Sequence, residues 1–320
     1  MRVFKRELTE THDVGAEWPT FVGCVELGES FVIETTNQEC TPNGPVEIRG
    51  VKAGDTVAIH IEKIELVEPF YAPNGGPFFE GMGERVPLDY REGYFYWPHH
   101  FRLKANPSVG NVAILPVPSE ENLAVCRIIA FGPDTGKQNP YGWRTLVRAP
   151  RGKHCHQDCW AITEGAIVHM KAQVDGLGLC MDDVHGYIGQ GEVAFDGIGV
   201  YARVQTRVER SQEWHVDWPI IETEDEIMVF SSYTSTYAHR PRLRYVDIIR
   251  TAYWALRDVV AAKIQGSIDE ANTIVATAAD IRNCALYGLG DYIQKEGKSD
   301  QPDSDIAVVA CLPKHVFMDE

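Results

Sequence analysis

Apolar and polar residues alternate in many short segments between Phe31 and about Arg210. Segments such as TVAIHIEKIEL and VYARVQTRVE are rich in β-branched residues, and Gly, Pro, Asn or Asp separates one segment from the next. Alternation with a period of two indicates strands that bury one face. In the first segment, Ile59 and Ile61 are predicted to point inward and His60 to lie on the more polar face. This pattern predicts an all-β body.

The apolar period becomes helical near the C-terminus. VDIIRTAYWALRDVVAAKI has helical spacing, and Gly266 is expected to end that helix. Ser267 and Glu270 form an S-x-x-E capping box before a second predicted helix, DEANTIVATAADIRNCALYG, and DIAVVACLP is predicted to be a last strand. We therefore predict a single unit that is mainly β (α+β): a multi-sheet, β-sandwich-like body over 1–235, with a C-terminal helical hairpin and closing strand packed on it over 236–320.

The segment from Pro69 to Phe101 is unusually rich in Phe, Tyr, Pro and Gly. This composition favours an irregular, well-packed excursion over a flexible linker. The aromatic residues can cover the end of a sheet, line a pocket, or do both. The segment is our candidate for substrate binding.

Composition and charge restrict the possible partners. The 320 residues are 44% hydrophobic and 24% charged, and 30 Lys and Arg against 46 Asp and Glu give a formal charge of −16. Such a surface repels phosphate backbones and anionic lipid, so we expect neither nucleic acid nor membrane as a partner. No signal peptide or apolar run of about 18 residues is evident, and the eight cysteines are dispersed. We expect a cytoplasmic protein with mostly reduced, buried thiols.

The first cluster of candidate chemistry is HCHQD. If this segment is extended, His154, His156 and Asp158 project from one face, because side chains on a strand repeat every two residues. Imidazoles and a carboxylate are suitable ligands for zinc or a similar divalent ion. Hydrogen bonds from these side chains to nearby backbone groups are the alternative explanation.

The second cluster is MDDVHGYIGQGEV. Asp183 and His185 are again two positions apart, and Glu192 follows glycines that permit a tight reversal. Two carboxylates and an imidazole can supply metal ligands and a general base. The chain has no G-x-S-x-G elbow and no glycine-rich loop in the strand–loop–helix context of a nucleotide site.

At these clusters the chain resembles the acetamidase/formamidase family, whose members hydrolyse small linear amides and, in some relatives, lactams. TPNGPVEIRGVKAGD is similar to the family's H-P-x-x-G-P-V-x-V-x-G-A-x-P-G-D, and MDDVHGYIGQGEV is similar to its G-D-x-H-A-x-Q-G-D-G-E-V. QGSIDEANTIVATAADIRNCALYG resembles its late helical segment and ACLPKHVF its closing L-P-K-x-x-F. The similar segments span most of the chain.

The chain also departs from the family pattern. HCHQD stands in place of G-G-N-M-D and keeps only Asp158, while Ile188 and Gln190 replace Gln and Asp. Thr41 replaces the His before proline. These changes fall on polar positions of the site, where they bear on substrate, metal affinity and activity.

The resemblance implies a metal-dependent amidohydrolase that releases ammonia or an amine, with a divalent metal, commonly zinc, and a homo-oligomeric assembly of two or more subunits. The predicted metal ligands are His154, His156, Asp183 and His185. The predicted catalytic residues are Glu192, as general base, and Asp158. Two alternatives stay open: hydrolysis of a lactam or another cyclic C–N substrate, and a noncatalytic descendant that binds a metal or small ligand.

Overall fold

The computed structural model describes residues 1–6, 20–36, 43–76, 78–79, 81–115, 117, 157–194, 196–214, 216, 218–233, 245–286 and 306–317. Over these residues the strands are β1 (Arg2–Phe4), β2 (Gly23–Glu26), β3 (Ser30–Thr35), β4 (Asn43–Arg49), β5 (Thr56–Ala72), β6 (Gly75–Gly76), β7 (Gly81–Met82), β8 (Val86–Arg91), β9 (Tyr94–Tyr96), β10 (Arg102–Lys104), β11 (Ser108–Ile114), β12 (Ile167–Lys171), β13 (Leu177–His185), β14 (Gly199–Arg210), β15 (Ile220–Glu222), β16 (Glu226–Tyr233), β17 (Asp280–Ala285) and β18 (Ile306–Pro313). The helices are α1 (Tyr245–Ile264), α2 (Ile268–Ala278) and a 3-10 turn (Lys314–Val316).

Hydrogen bonds join sixteen of the described strands into one mixed sheet. Its main path runs β17-β18-β16-β15-β12-β5-β14-β13-β4-β2, with β11 paired to β13 and β3 paired to β14. The excursion after β5 adds β8, β9 and β10 at one side, and β6 pairs separately with β7. The predicted fold class, mainly β with C-terminal helices, is confirmed, and the hydrogen bonding continues from strand to strand across the body.

The long antiparallel pair of β5 and β14 lies at the centre of this path. Ile59 and Ile61 are buried, as the alternation predicts, because they point into the main core. His60 points to the other face, where it is half-buried with Nε2 3.0 Å from Oε2 of Glu209 on β14. The period of two in the sequence therefore identified the buried face of this strand correctly.

Two hydrophobic cores lie on opposite faces of the C-terminal strands. On β16, Met228 and Phe230 belong to the main core, whereas Ile227 and Val229 belong to a second core with α1 and α2. Strands buried on both faces have nearly continuous apolar sequences, as IAVVACL in β18 does. The helices therefore cover one face of the sheet and the β-rich body covers the other.

The second predicted helix is too long. It begins as predicted, since the Ser267 side chain accepts from the Glu270 amide and the Glu270 carboxylate accepts from the Ser267 amide. It ends at Ala278, and the following residues form β17, antiparallel to β18. Arg282 on β17 donates two hydrogen bonds to Glu226, at 2.6 and 2.7 Å. The ladder with β18, which is distant in sequence, overrides the local helical spacing.

Gly44 has a structural role in TPNGPVEIRGVKAGD, one of the segments that resemble the acetamidase/formamidase family. Its φ is +133°, and a Cβ atom there would lie 2.5 Å from the carbonyl oxygen of Leu179 and 2.7 Å from Sγ of Cys180. Only glycine permits this close approach of β4 to β13. The motif therefore fixes the position of the strand that carries Asp183 and His185.

The described cysteines are free thiols. Cys159, Cys180, Cys284 and Cys311 are buried, and Cys24 is partly exposed. This agrees with the expectation of reduced, buried cysteines. Within the described part of the chain, neither helix is both long and apolar enough to cross a bilayer.

Candidate metal centre and active site

The side chain of His185 lies in a narrow slot between two glycines. A Cβ atom on Gly110 of β11 would lie 2.9 Å from Cε1 of the imidazole and 2.5 Å from the carbonyl oxygen of Asp183. A Cβ atom on Gly197 would lie 2.8 Å from Cδ2 of the imidazole and 2.5 Å from the carbonyl oxygen of Tyr187. Real Cβ atoms do not approach other atoms this closely, so both positions require glycine. The imidazole plane is thereby held from both sides.

Carboxylates surround Nε2 of this imidazole. Nε2 lies 3.5 Å from Asp183 Oδ1, 3.5 Å from Glu192 Oε1 and 3.6 Å from Asp196 Oδ1. All four side chains are buried, with exposures of 1% for His185, 3% for Glu192, 7% for Asp196 and 8% for Asp183. The structure thus brings together the three residues of the second sequence cluster and one further acid.

A glycine-containing turn after β13 places Glu192 beside His185. The chain reverses between Tyr187 and Ile198, whose amide donates to the Tyr187 carbonyl at 2.9 Å. The Glu192 amide donates to the Gly189 carbonyl, and the Gly191 carbonyl accepts from Leu286 N at 2.7 Å. Gly191 also forms a parallel bridge with Ala285 at the end of β17. The turn is therefore supported by a strand from the C-terminal part of the chain.

Three acids in this region have backbone conformations that non-glycine residues rarely adopt. The φ angles are +44° at Asp158, +55° at Asp183 and +38° at Glu192. Each such residue costs about 1–3 kcal/mol, and positions of this kind cluster at functional sites. Their occurrence at three predicted site residues supports a functional interpretation of the region.

Asp158 is attached to the same glycine that borders His185. The Gly110 carbonyl accepts from both Gln157 N, at 2.8 Å, and Asp158 N, at 2.9 Å. Asp158 is 1% exposed. Burial, followed by contact with Cys159 and more weakly by the charge of Asp158, raises the pKa of the Cys284 thiol. Asp158 thus connects the backbone of the site to the buried thiols of the core.

The other two predicted ligands, His154 and His156, lie outside the described residues. Among the described residues, the group with ligand atoms close enough to share one ion is Asp183, His185 and Glu192, whose atoms all lie within 4.8 Å of one another. The role of His154 and His156 as metal ligands stays a prediction.

Asp196 was not identified from the sequence. It lies four positions after Glu192, beyond the motif, and Arg85 Nη2 lies 2.6 Å from its Oδ2. Burial raises the pKa of Asp196 to about 6, an effect larger than the opposing charges of His185 and Arg85. An acid in the otherwise apolar and glycine-rich VAFDGIG is the only local signal.

The charges of the site favour a cation. Nε2 of His185 faces carboxylate oxygens of Asp183, Glu192 and Asp196, and Asp196 is also paired with Arg85. Buried like charges repel one another strongly unless a cation compensates them. In addition, no hydrogen bond from the described residues reaches either ring nitrogen of the buried His185. Two carboxylates and an imidazole with a free nitrogen form a donor set that fits a divalent ion.

A cavity of about 250 Å³ adjoins this group. Glu192 and Asp196 supply its charged wall, and the rest is mainly apolar. The residues lining it are Ala72, Pro73, Trp97, Leu103, Tyr187, Gly189, Gln190, Glu192, Val193, Ala194, Asp196, Gly197 and Ile198. Three of them, Ala72, Pro73 and Trp97, come from the aromatic segment proposed for substrate binding. Asp183 and His185 do not line the cavity, but His185 lies against Glu192 and Asp196, which do.

Comparison with known proteins identifies the fold of the chain as that of the acetamidases. No protein-family model and no curated protein sequence matches the chain. Among solved structures, a predicted acetamidase/formamidase from the thermophile Thermoanaerobacter tengcongensis superposes with a TM-score of 0.72 at 16% identity, over 98% of this chain and 96% of that one. The resemblance predicted from the sequence is confirmed at the level of the fold.

Two further structures share this architecture. The acetamidase from Yersinia enterocolitica matches with a TM-score of 0.70 at 18% identity, over 99% of this chain and 93% of that one. The γ-lactamase from Delftia acidovorans matches with a TM-score of 0.51 at 17% identity, over 94% of this chain and 88% of that one. Near-complete coverage means that the β-rich body and the C-terminal helices are both part of the shared fold.

Proposed function

We propose that the protein is a metal-dependent hydrolase of small non-peptide amides, which it cleaves at the C–N bond with water to give a carboxylic acid and ammonia or an amine. The observation that carries the proposal is the buried group of Asp183, His185 and Glu192 beside a small cavity. The shared fold with proteins named acetamidase and γ-lactamase agrees with this chemistry.

Asp183 and His185 are the residues that would hold the ion, with His156 and His154 as further predicted ligands. His185 lies next to the cavity, because its Nε2 is 3.5 Å from Glu192 and 3.6 Å from Asp196, which both line it. A divalent ion bound there would polarise the amide carbonyl and lower the pKa of a nearby water. We propose zinc, which accepts nitrogen and oxygen ligands in open catalytic sites.

Glu192 is the proposed general base. Unlike Asp183, it lines the cavity, and its carboxylate lies 3.5 Å from His185. It takes a proton from the attacking water and passes that proton to the nitrogen as the C–N bond breaks.

Asp196 and Asp158 have supporting roles in this proposal. Asp196 lines the cavity next to Glu192, and Arg85 fixes one of its oxygens. Its Oδ1 faces His185, and we propose that this oxygen accepts a hydrogen bond from the substrate amide N–H. Asp158 holds the Gly110 backbone that borders the imidazole. We retain Asp158 as a secondary catalytic candidate on the strength of its burial and its left-handed backbone.

The cavity suits a small acyl amide. About 250 Å³ is below the size of sites for drug-sized ligands. The carboxylates face the polar amide, and Trp97, Leu103 and Ile198 face the acyl group. A lactam is the second candidate, because the architecture is shared with a γ-lactamase and the apolar wall accepts a compact ring.

The decisive experiment measures bound metal and ammonia release together. The purified protein, as isolated and after zinc addition, is given formamide, acetamide, propionamide and a γ-lactam, the last followed by amino-acid formation. We expect about one zinc ion per chain and turnover of at least one substrate, with both lost in His185→Ala. Glu192→Gln should keep most of the zinc and lose turnover by about 100-fold or more.

Different outcomes contradict different parts of the proposal. Zinc binding without turnover across the panel would indicate a noncatalytic protein that binds a metal or small ligand. Turnover unaffected by chelators would remove the metal from the proposal. His60 lies on the outer face of β5. Equal loss of zinc and turnover in His185→Ala and in His60→Ala would indicate general destabilisation.

The assembly and location are also proposed. We propose a homo-oligomer of two or more subunits that acts in the cytoplasm as a single folded unit over 1–320. Light scattering of the purified chain tests the first point, and cell fractionation tests the second. A monomer at micromolar concentration would contradict the proposed assembly.

A further inference from the structure

Ser108 lies directly across the sheet from His185. The two residues are register partners in the antiparallel pair of β11 and β13, and each is 1% exposed. Directly opposite residues in such a pair project from the same face. Gly110, two positions after Ser108, has its missing Cβ position 2.9 Å from the imidazole. The hydroxyl of Ser108 therefore lies on the face of β11 against which the imidazole packs.

Both side chains have polar atoms without a hydrogen-bond partner. Ser108 Oγ, His185 Nδ1 and His185 Nε2 are all buried, and within the described part of the chain they accept or donate no hydrogen bond. The three carboxylate oxygens at 3.5–3.6 Å explain Nε2, since they surround the position proposed for the ion. These oxygens do not account for the missing hydrogen-bond partner of Nδ1. A buried hydroxyl and a buried ring nitrogen on one face of one strand pair are costly to leave unpaired.

The chemistry of a metal-binding histidine gives the Ser108 hydroxyl a role toward Nδ1 of His185. A neutral imidazole carries one proton, and the nitrogen that binds a cation must be the other one. If Nε2 of His185 is the ligating atom, the proton resides on Nδ1 and needs an acceptor. Without such an acceptor, the neighbouring carboxylates of Asp183 and Glu192 would draw the proton to Nε2. That tautomer cannot bind a cation.

We propose that Ser108 is the positioning residue of His185. Its hydroxyl oxygen accepts the Nδ1 proton, either directly after a small side-chain rotation or through one buried water. The bond selects the tautomer whose Nε2 lone pair faces the carboxylates. This inference rests on the proposed metal-dependent function, and it assigns Ser108 no contact with the substrate.

The test compares Ser108→Ala and Ser108→Thr with wild type. Ser231→Ala is the matched control, because Ser231 is another buried serine, on β16. Zinc affinity is measured by competition with a chromophoric chelator. Thermal unfolding of the metal-free proteins is measured in parallel. Imidazole ¹⁵N shifts of the metal-free proteins report which ring nitrogen carries the proton, with the His185 signal assigned from its loss in His185→Gln.

We expect Ser108→Ala to bind zinc about 10- to 100-fold more weakly, the usual effect of losing a partner of a ligating histidine. Ser108→Thr, which keeps the hydroxyl, should stay within about threefold of wild type, as should Ser231→Ala. The metal-free Ser108→Ala protein should unfold no more than a few degrees below wild type, because it loses a single hydrogen bond. Its His185 proton should shift from Nδ1 towards Nε2.

Three results would overturn the inference: unchanged zinc affinity in Ser108→Ala, a proton on Nε2 in the wild type, or a metal-free Ser108→Ala protein whose unfolding temperature falls far more than the loss of one hydrogen bond explains. The last would assign the hydroxyl a structural role. Failure of the proposed function is distinguishable. If wild type binds no zinc, that function fails, while the ¹⁵N measurement on the metal-free proteins still decides the role of Ser108.

Discussion

Nε2 of His185 lies 3.5 Å from Oε1 of Glu192, which belongs to the reversal between Tyr187 and Ile198. The short distance depends on the backbone of the turn and on the two glycines that enclose the imidazole. Gly197 is the more informative of these, because it belongs to the same reversal as Glu192. Substitution of Gly197 tests whether the slot around the imidazole, in addition to the ligand residues, determines the geometry of the site.

We expect Gly197→Ala to displace the imidazole, since its Cβ would lie 2.8 Å from Cδ2 of His185. The cost in unfolding free energy should be about 1–3 kcal/mol, as in other overpacked sites. Zinc affinity should fall by at least tenfold. Gly189→Ala is the matched control, because no atom lies within 4 Å of the added methyl. Denaturant unfolding and zinc titration measure both effects. Equal behaviour of the two variants would contradict a sterically fixed slot.

Asp196 should destabilise the metal-free protein at neutral pH. Its pKa in the folded protein is about 6, above the ordinary value of 3.8. The unfolded chain therefore ionises first as the pH rises, and stability is lost between about pH 4 and pH 6. Asp196→Asn should be more stable than wild type by about 1–2 kcal/mol at pH 7.5, with little difference at pH 4. Urea unfolding of the metal-free proteins at both values measures this.

The control for Asp196 is Asp175→Asn, which removes a surface aspartate paired with Lys52. We expect it to bring no gain in stability at pH 7.5, because its charge is solvated. A stabilised Asp175→Asn would indicate a general effect of the net charge. An Asp196→Asn variant that is less stable than wild type at pH 7.5 would show that its bond with Arg85 outweighs the cost of burial.

Glu222 should contribute stability that depends on pH in the opposite direction. Although burial alone would raise its pKa, hydrogen bonds from His169, Lys314 and Trp214 lower it to about 2. Its contribution is therefore complete above the unfolded value of about 4.5 and is lost as the pH falls towards 2. Glu222→Gln should cost on the order of 2–3 kcal/mol at pH 6, and this difference should shrink below pH 4.

The measurement for Glu222 is chemical unfolding of both proteins from pH 6 to pH 2.5. Glu213→Gln serves as control, because this glutamate is half exposed and pairs only at the surface with Lys263. We expect a change below about 0.5 kcal/mol for the control. A Glu222→Gln cost that stays constant with pH would show that shape, and not charge, explains the contribution of this residue.

Trp97 should limit the size of the acyl group. It lines the cavity, so Trp97→Ala enlarges the space available next to the carboxylates. We expect kcat/KM to rise for a bulky amide such as benzamide relative to acetamide, by about tenfold in the ratio. Trp254→Ala, at an exposed tryptophan of α1, should leave the ratio unchanged. The same ratio in both variants would place substrate binding elsewhere.

The sequence predicted those parts of the site that follow from local spacing. Asp183 and His185 were predicted from their separation of two positions on a strand, and Glu192 from the glycines that precede it. The structure brings these three together. Asp196 could not be predicted, because its place depends on Arg85 and His185, which reach it only through the tertiary fold. Its own sequence neighbours carry no chemical motif.

The fold shows the same division between local and long-range information. The alternation in β5 and the capping box of α2 are local, and the structure agrees with both. The predicted end of α2 was wrong, because the spacing of apolar residues in ADIRNCA fits a helix and a strand equally well. These residues form a strand because they pair with β18, which follows after the intervening residues 286–305. Such competition between propensity and ladder formation is visible only once the partner strand is known.

The bridge between Gly191 and Ala285 has a consequence for how the protein is made. During synthesis, β13 and the turn with Glu192 leave the ribosome long before β17 does. The turn receives its backbone support, including the amide of Leu286, only after β17 has emerged. A nascent or truncated chain can therefore form much of its sheet while its acids still lack their final arrangement. The final arrangement of the turn with Glu192 thus requires the residues of β17.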